Sequence, residues 1–218
     1  MISNLTKKPD IIIVDDNLNF RQGLIFLITV DNVASVIGKA SNEKEFIEML
    51  SVLRPDVVLM DIYMLQKNGM EAARRALQIM PDLKIIAFTM FGDEEYYDSM
   101  NKLGIKGFLL KSGGIYELEK AIEEVVKGKN YISEQLVKKI IINYTRNMPG
   151  NSMADFGLTA LESDIMQLIC QGATNEDIAQ KLSLTLTTVK ENKATLLQKV
   201  SSYHTEQEAY KETEYMLN

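Results

Sequence analysis

The sequence predicts an α/β fold, a doubly wound five-stranded parallel sheet, followed by a small domain made only of helices. Between residues 10 and 127, five apolar runs of strand length alternate with five segments of helical spacing. Such alternation is typical of right-handed crossovers onto a parallel sheet. From Leu158 onward only helical spacing is found, and 218 residues are enough for two domains of ordinary size.

The bounds of the elements follow from the apolar pattern. The strands are predicted at 10–14, 33–37, 56–60, 84–88 and 107–110, and the helices at 17–29, 43–53, 68–79, 93–103 and 115–127. The strands are apolar throughout, as expected when helices cover both faces of a sheet. Asn17 suits an N-cap, as does Asn42 or Ser41, and Gly104 and Gly128 suit helix C-termini.

Composition limits the class of protein. A hydrophobic content of 46% and a charged content of 25% are typical of a soluble globular chain. The single cysteine, Cys170, excludes an internal disulfide framework, and with one histidine, His204, a zinc site is not expected. No run approaches the roughly 18 apolar residues of a membrane span, and the N-terminus lacks a signal-peptide pattern. We therefore expect a cytoplasmic protein without a membrane partner.

Three carboxylates follow two of the predicted strands. Asp15 and Asp16 come after the first strand, and Asp61 comes after the third. Ligands of parallel sheets bind beyond the carboxyl ends of the strands, so the three side chains are expected to lie together. Clustered carboxylates repel one another unless a cation lies among them, and oxygen ligands suit Mg²⁺. One carboxylate would then attack a phosphoryl group. The alternative is a pair of Asp-rich turns with purely local hydrogen bonds.

Two further polar residues follow strands at the same edge. Thr89 ends the fourth strand and Lys111 follows the fifth. A hydroxyl and an ammonium group both bond phosphoryl oxygens, so these residues favour phosphoryl chemistry at Asp61. An independent Mg²⁺-dependent phosphatase would use the same acidic cluster, but it leaves the C-terminal helices unexplained.

The C-terminal domain is predicted to contain three helices. The first opens on the capping-box pattern of Thr159 and Glu162. Thr174 would cap a short second helix, and Thr185 a third helix that ends at Val200. A short helix, a tight turn and a longer helix form a helix-turn-helix, whose second helix enters the major groove of DNA. A generic small helical bundle has the same spacing.

The domain boundary is predicted from turn chemistry. Residues 148–152 read Met-Pro-Gly-Asn-Ser, which is typical of a turn or linker. We divide the chain into a first domain at 1–128, a linker with a helix at 129–154, and a C-terminal domain at 155–218.

Together these residues resemble a known family. The first 125 or so residues, with their strand-end aspartates, threonine and lysine, resemble the flavodoxin-like receiver domain of two-component response regulators. Residues 172–179 and 185–190 resemble the LuxR-type helix-turn-helix. The two modules in this order are the plan of the NarL/FixJ group of response regulators.

The resemblance implies a role for each residue at the sheet edge. Asp61 would accept a phosphoryl group from a histidine kinase, and Thr89 and Lys111 would contact the phosphoryl oxygens. Phe108 stands where the family has an aromatic switch residue. The protein is not predicted to be an enzyme beyond self-phosphotransfer and self-dephosphorylation at Asp61. The implied Mg²⁺ ligands are Asp15, Asp16, Asp61 and the backbone carbonyl of Tyr63.

The chain departs from the family near this site. Leu65 replaces a usual proline, and Ser112 follows Lys111 where many relatives have a cis-proline, so we expect a trans bond or a strained loop there. Two aromatic residues, Tyr63 and Phe91, border the site. Rings beside the path of an attacking water are predicted to slow self-dephosphorylation; the alternative is that both rings only cover apolar surface.

The resemblance also implies that the third helix of the C-terminal domain reads double-stranded DNA, with two copies paired as a homodimer. The charge is unusual for this role, because residues 151–218 contain five lysines against ten acidic residues. That net charge of −5 makes up most of the −6 of the whole chain, and DNA affinity rests largely on cations. Binding is therefore expected to be weak and strongly salt-dependent. The implied DNA contacts are Thr187, Thr188, Lys190, Glu191, Lys193 and Lys199.

The leading prediction is a transcriptional regulator in which phosphorylation of Asp61 switches DNA binding. The alternative is a phosphorylation-controlled protein-interaction module whose acidic C-terminal domain does not read DNA. Its support is the negative charge together with Asn192, Thr195 and His204, which stand where the family has histidine, asparagine and arginine.

Overall fold

The computed structural model describes residues 7–64, 68–90, 94–146 and 156–217. Leu65, Phe91 and the predicted turn at 148–152 lie outside these residues. The backbone divides into two units, one of residues 1–91 and 99–133 and the other of residues 92–98 and 134–218. None of the described helices combines the length and the apolar character that crossing a bilayer requires.

The first unit is built on a parallel sheet with the strand order β2-β1-β3-β4-β5-β6. The doubly wound parallel sheet is thus confirmed, but the predicted five strands are corrected to six. The sixth strand holds two residues and pairs with β5, where Phe108 lies opposite Ile132. The strands are β1 (Asp10–Val14), β2 (Ser35–Ala40), β3 (Val57–Asp61), β4 (Ile85–Thr89), β5 (Gly107–Leu110) and β6 (Tyr131–Ile132).

Nine helices lie within the described residues, and the five of the α/β pattern fall close to their predicted bounds. Asn17 and Asn42 cap the first two, each with its side-chain oxygen accepting from a backbone N–H three residues on. The helices are α1 (Leu18–Val30), α2 (Glu43–Val52), α3 (Asn68–Ile79), α4 (Glu94–Lys102), α5 (Ile115–Val126), α6 (Glu134–Arg146), α7 (Ala160–Cys170), α8 (Asn175–Leu182) and α9 (Leu186–Leu217).

Alternate residues of the strands supply two cores, one on each face of the sheet. Ile11, Ile13 and Leu59 pack in one buried cluster with α1 and α5. The intervening residues, such as Ile12 and Met60, are buried as well, and they point to the opposite face because side chains alternate along a strand. The sheet is thus covered on both faces, which leaves its carboxyl edge as the place where polar side chains gather.

The second unit packs helices α6, α7 and α8 around α9. Its buried side chains include Ile140 of α6, Ile165 of α7, Ile178 of α8 and Leu196 of α9. Helix α6, which the sequence placed in a linker, therefore packs as a member of this helical unit. Helix α9 continues to Leu217, well beyond the predicted end at Val200.

Candidate acidic site and helix-turn-helix surface

The acidic cluster lies at the carboxyl ends of two neighbouring strands. Val14 of β1 pairs with Met60 of β3, so Asp15 and Asp61 follow at the same level of the sheet. One carboxylate oxygen from each of Asp15, Asp16 and Asp61 lies within 4.8 Å of the other two. Asp15 and Asp61 are buried and Asp16 is half-buried. The sheet topology thus brings together the three carboxylates that the sequence predicted to cluster.

Lys111 reaches the cluster from the end of β5. Its Nζ lies 2.5 Å from Oδ2 of Asp15 and 2.7 Å from Oδ2 of Asp61, and its side chain is only 5% exposed. The Nζ atom also lies 4.4 Å from the ring centroid of Phe20, and that ring contacts Phe88. A single ammonium group is thus shared by two buried carboxylates and held over an aromatic face.

Backbone amides orient the same carboxylates. The N–H of Tyr63 donates to Oδ1 of Asp61, and the N–H of Asn17 donates to Oδ1 of Asp15, both at 2.9 Å. Each aspartate therefore accepts from an amide two residues further along and from Lys111 on its other oxygen. This double restraint limits each carboxylate to one orientation.

Thr89 and Phe108 lie on the two strands next to the cluster. Thr89 is the last residue of β4 and is buried, and its carbonyl oxygen accepts from the N–H of Lys111 at 2.6 Å. Phe108 is buried in β5 opposite Ala87 and Ile132. The peptide bond between Lys111 and Ser112 is trans, since the described residues contain no cis peptide bond.

Burial raises the pKa of Asp15 above its ordinary value of 3.8, although the hydrogen bond and charge of Lys111 act in the opposite direction. The nearby charge of Asp61 adds to the increase. Three carboxylates against one ammonium group leave the cluster in need of positive charge. A divalent cation that prefers oxygen ligands fits this donor set.

Two residues at the site were missed from the sequence, Phe20 and Arg21 of α1. Phe20 supports Lys111 through its ring, and the Arg21 guanidinium donates to the backbone carbonyl of Asp15. Both lie on the first turn of the helix that Asn17 caps. That turn follows Asp15 and Asp16 closely in the sequence, and this proximity is the signal that could have identified both residues.

Helices α8 and α9 form the predicted helix-turn-helix. Thr174 and Asp177 make a capping box at the start of α8, and Ser183 adopts a left-handed conformation (φ 54°) at its end. The Thr185 hydroxyl accepts from the N–H of Thr188 and thereby caps α9 at 3.1 Å. The preceding helix, α7, opens on the predicted capping box of Thr159 with Glu162.

Only one of the three lysines predicted to contact DNA is exposed. Lys190 faces solvent, whereas Lys193 is 5% exposed and donates to Oδ1 of Asn175 at 2.7 Å. Lys199 donates to Oε2 of Glu162 at 2.7 Å and to the carbonyl of Gly157 at 3.1 Å. A phosphate contact by Lys193 does not fit its burial, and Lys199 is occupied by partners of its own unit.

The other predicted DNA contacts are accessible on the same helix. Thr187 and Glu191 are exposed and Thr188 is half-buried. Asn192 donates to the carbonyl of Thr188, and Thr195 donates to the carbonyl of Glu191. Two of the three residues that depart from the family pattern, Asn192 and Thr195, therefore bond their own helix.

Comparisons with known proteins agree with this architecture. Residues 11–123 match the family model described as response regulator receiver domain, and residues 157–210 match bacterial regulatory proteins, luxR family. The transcriptional regulatory protein DegU of Brevibacillus brevis is 30% identical over 89% of this chain and 88% of its own length. The transcriptional regulatory protein LiaR of Bacillus subtilis is 30% identical over 95% of this chain and 99% of its own.

A solved structure shares the fold over nearly the whole chain. It is the two-component response regulator RcsB in complex with DNA, with a TM-score of 0.58 and 24% identity over 89% of this chain and 93% of that one. At this identity the likeness concerns the fold. The family models and the two relatives carry the assignment: the chain belongs to the NarL/FixJ group of two-component response regulators, transcriptional regulators that join a receiver domain to a LuxR-type helix-turn-helix.

Proposed function

We propose that Asp61 accepts a phosphoryl group from a histidine kinase and that this modification switches DNA binding by helix α9. The observation that carries the proposal is the shared ammonium of Lys111, 2.5 Å from Asp15 and 2.7 Å from Asp61 at the carboxyl edge of the sheet. A carboxylate held in one orientation beside two acidic neighbours and a cation suits nucleophilic attack on phosphorus. Outside this self-modification we propose no enzymatic activity.

In the transfer, a carboxylate oxygen of Asp61 would form a bond to phosphorus as the bond from phosphorus to the donor's imidazole nitrogen breaks. The ammonium of Lys111 would offset the negative charge on the phosphoryl oxygens, and the Thr89 hydroxyl would bond one of them. The Tyr63 amide would keep the attacking carboxylate aligned. Mg²⁺ would add positive charge at the same edge, held by Asp15, Asp16, Asp61 and the carbonyl of Tyr63.

The output would be the exposed face at the start of α9. The first turns of a recognition helix contact base edges, and the accessible residues there are Thr187, Thr188, Lys190 and Glu191. We leave Lys193 and Lys199 out of the proposed contacts because both bond partners within their own unit. Two copies paired on two half-sites would offset the weak binding of one acidic module. Chromosomal DNA as the target implies action in the cytoplasm.

The proposal is tested by DNA binding at low and moderate salt, with and without beryllofluoride and Mg²⁺. Beryllofluoride stands in for the phosphoryl group on Asp61. Binding that appears with the mimic in the wild-type protein, and is absent from Asp61→Ala, is the expected result. If the mimic binds but DNA is not retained at any salt concentration, the switch serves a protein partner instead, as the alternative prediction holds.

A further inference from the structure

Lys193 is a buried lysine at a junction of three helices in the second unit. It lies on α9, donates to Asn175 at the start of α8, and has its Nζ 3.6 Å from Oε1 of Glu134 at the start of α6. Asn175 is itself only 3% exposed. One ammonium group thus ties the DNA-reading helix to two others.

This arrangement is costly in free energy. Taking a charge out of water costs free energy even when it is paired. Burial lowers the pKa of Lys193, although the charge of Glu134 acts in the opposite direction. The other charged groups near this ammonium are Lys138 and Glu176. An apolar side chain of similar length would fill the same space without this cost. Stability therefore does not explain why an ionic contact is found at this junction.

Glu134 lies one residue after a backbone hydrogen bond to strand β5. It is the first residue of α6 and follows Ser133, whose N–H donates to the carbonyl of Phe108 in β5 at 2.9 Å. Strand β6, just before Ser133, pairs with β5. Lys111, which holds Asp61, comes directly after β5. A displacement of β5 would therefore pass through β6 and one peptide bond to the residue that pairs with Lys193.

We propose that the Glu134–Lys193 pair positions the recognition helix α9 and transmits to it a displacement of β5. Lys193 acts as a positioning residue in place of a phosphate contact, and Asn175 fixes its ammonium group. This inference rests on the proposed function, since it names the route by which phosphorylation of Asp61 would control α9.

The test uses the full-length protein and the ratio of DNA affinities with and without beryllofluoride and Mg²⁺. The variants are Glu134→Gln, Lys193→Met and the double variant. Asp164→Asn is the matched control, because it removes one exposed negative charge from α7 of the same unit. General charge effects on DNA affinity act on both states, so they cancel in the ratio.

We expect Glu134→Gln to lower the ratio toward one by at least about threefold, within the range of coupling between contacting residues. The double variant should lower it no further than Glu134→Gln alone, and Asp164→Asn should leave it unchanged. A ratio in Glu134→Gln equal to that of the wild type would overturn the proposal. If Lys193→Met fails to fold, Glu134→Gln still decides the outcome.

A second readout does not depend on DNA. Amide hydrogen exchange of the segment 186–200 is compared with and without the mimic. The proposal expects a change in the wild type that is lost in Glu134→Gln; no change in the wild type, or the same change in both proteins, contradicts it. If the wild type shows the exchange change but binds no DNA, the DNA target is wrong while the coupling stands.

Discussion

At the scale of single residues, the buried carboxylates of the acidic site reduce the stability of the folded protein. Asp15 is buried beside Asp61, and one lysine offsets two buried carboxylates. Because burial raises the pKa of Asp15, the folded state binds its proton more tightly than the unfolded state does. The contribution of Asp15 to stability is therefore complete below its ordinary pKa of 3.8 and is lost as pH rises through the higher pKa of the folded state.

It follows that Asp15→Asn should stabilise the metal-free protein at neutral pH. We expect the free energy of unfolding to rise by on the order of 1 kcal/mol, as is common where function requires a strained site, and Mg²⁺ binding to weaken. Urea unfolding at pH 7 without Mg²⁺ and calorimetric Mg²⁺ titration measure the two effects. Asp82→Asn, at an exposed turn, is the control and should change neither. A destabilised Asp15→Asn protein would show that the Lys111 ion pair outweighs the burial.

Tyr63 offers a second prediction at this scale. It is half-buried two residues after Asp61, and its backbone N–H donates to Asp61, the proposed phosphoacceptor. A ring beside the path of in-line water attack would obstruct hydrolysis of the phosphoryl group. We expect Tyr63→Ala to lose the phosphoryl group faster than the wild type, as measured by decay of the phosphorylated form on phosphate-affinity gels. Tyr116 is 84% exposed, so Tyr116→Ala should lose the phosphoryl group at the wild-type rate. An unchanged lifetime in Tyr63→Ala would refute the idea.

At the scale of elements, the sequence predicted what local chemistry determines. The caps at Asn17 and Thr159 and the apolar strands need only neighbouring residues, and they appear as expected. Strand β6 was missed because two residues show no periodicity and the pairing partner is distant in sequence. The extension of α9 was missed because polar residues after Val200 carry no apolar stripe.

The burial of Lys193 and the ion pair of Lys199 could not be predicted by the same reasoning. Lysine is ordinarily exposed, and only packing shows that Glu134 and Asn175 surround Lys193 and that Glu162 meets Lys199. The site in the first unit was predictable for the opposite reason, since parallel strands bring their carboxyl ends to one edge whatever the details of packing.

The start of α3 gives a prediction about an element. A Cβ atom on Gly69 would lie 2.5 Å from the carbonyl oxygen of Asp61 and 2.7 Å from that of Ile62, both rigid backbone atoms. Gly69→Ala must therefore displace the segment after β3. We expect a loss of about 1–3 kcal/mol in the free energy of unfolding and slower phosphorylation by a small phosphodonor such as acetyl phosphate.

The matched control is Gly23→Ala within α1, where a Cβ would meet nothing within 4 Å. Alanine is the better helix former, so this variant should gain up to about 1 kcal/mol. Chemical denaturation compares the two proteins. A neutral Gly69→Ala variant would mean that the segment after β3 tolerates displacement, which would argue against a rigid phosphoacceptor site.

At the scale of the whole molecule, negative charge and DNA binding have to be reconciled. The second unit is acidic, and two lysines of its recognition helix bond Asn175 and Glu162. Between residues 174 and 200, where the side-chain exposure is described, the exposed lysines are Lys181 and Lys190. Fewer phosphate contacts imply a smaller dependence on salt than three recognition-helix lysines would produce.

The salt dependence of DNA binding therefore separates the exposed Lys190 from Lys199, which is paired with Glu162. Lys190→Met should reduce the slope of log affinity against log salt by roughly 0.9 for each module bound, the effect of one lost phosphate contact. Lys199→Met should leave the slope unchanged, but it should destabilise the protein because it leaves the buried carboxylate of Glu162 without its ammonium partner. The hydrogen bonds from Lys199 and Thr159 outweigh burial and lower the pKa of Glu162. The loss of unfolding free energy in Lys199→Met should therefore be largest above the ordinary pKa of 4.5 and should fade as pH falls.

Equal salt slopes in Lys190→Met and the wild type, or a reduced slope in Lys199→Met, would mean that the wrong lysine has been assigned to DNA.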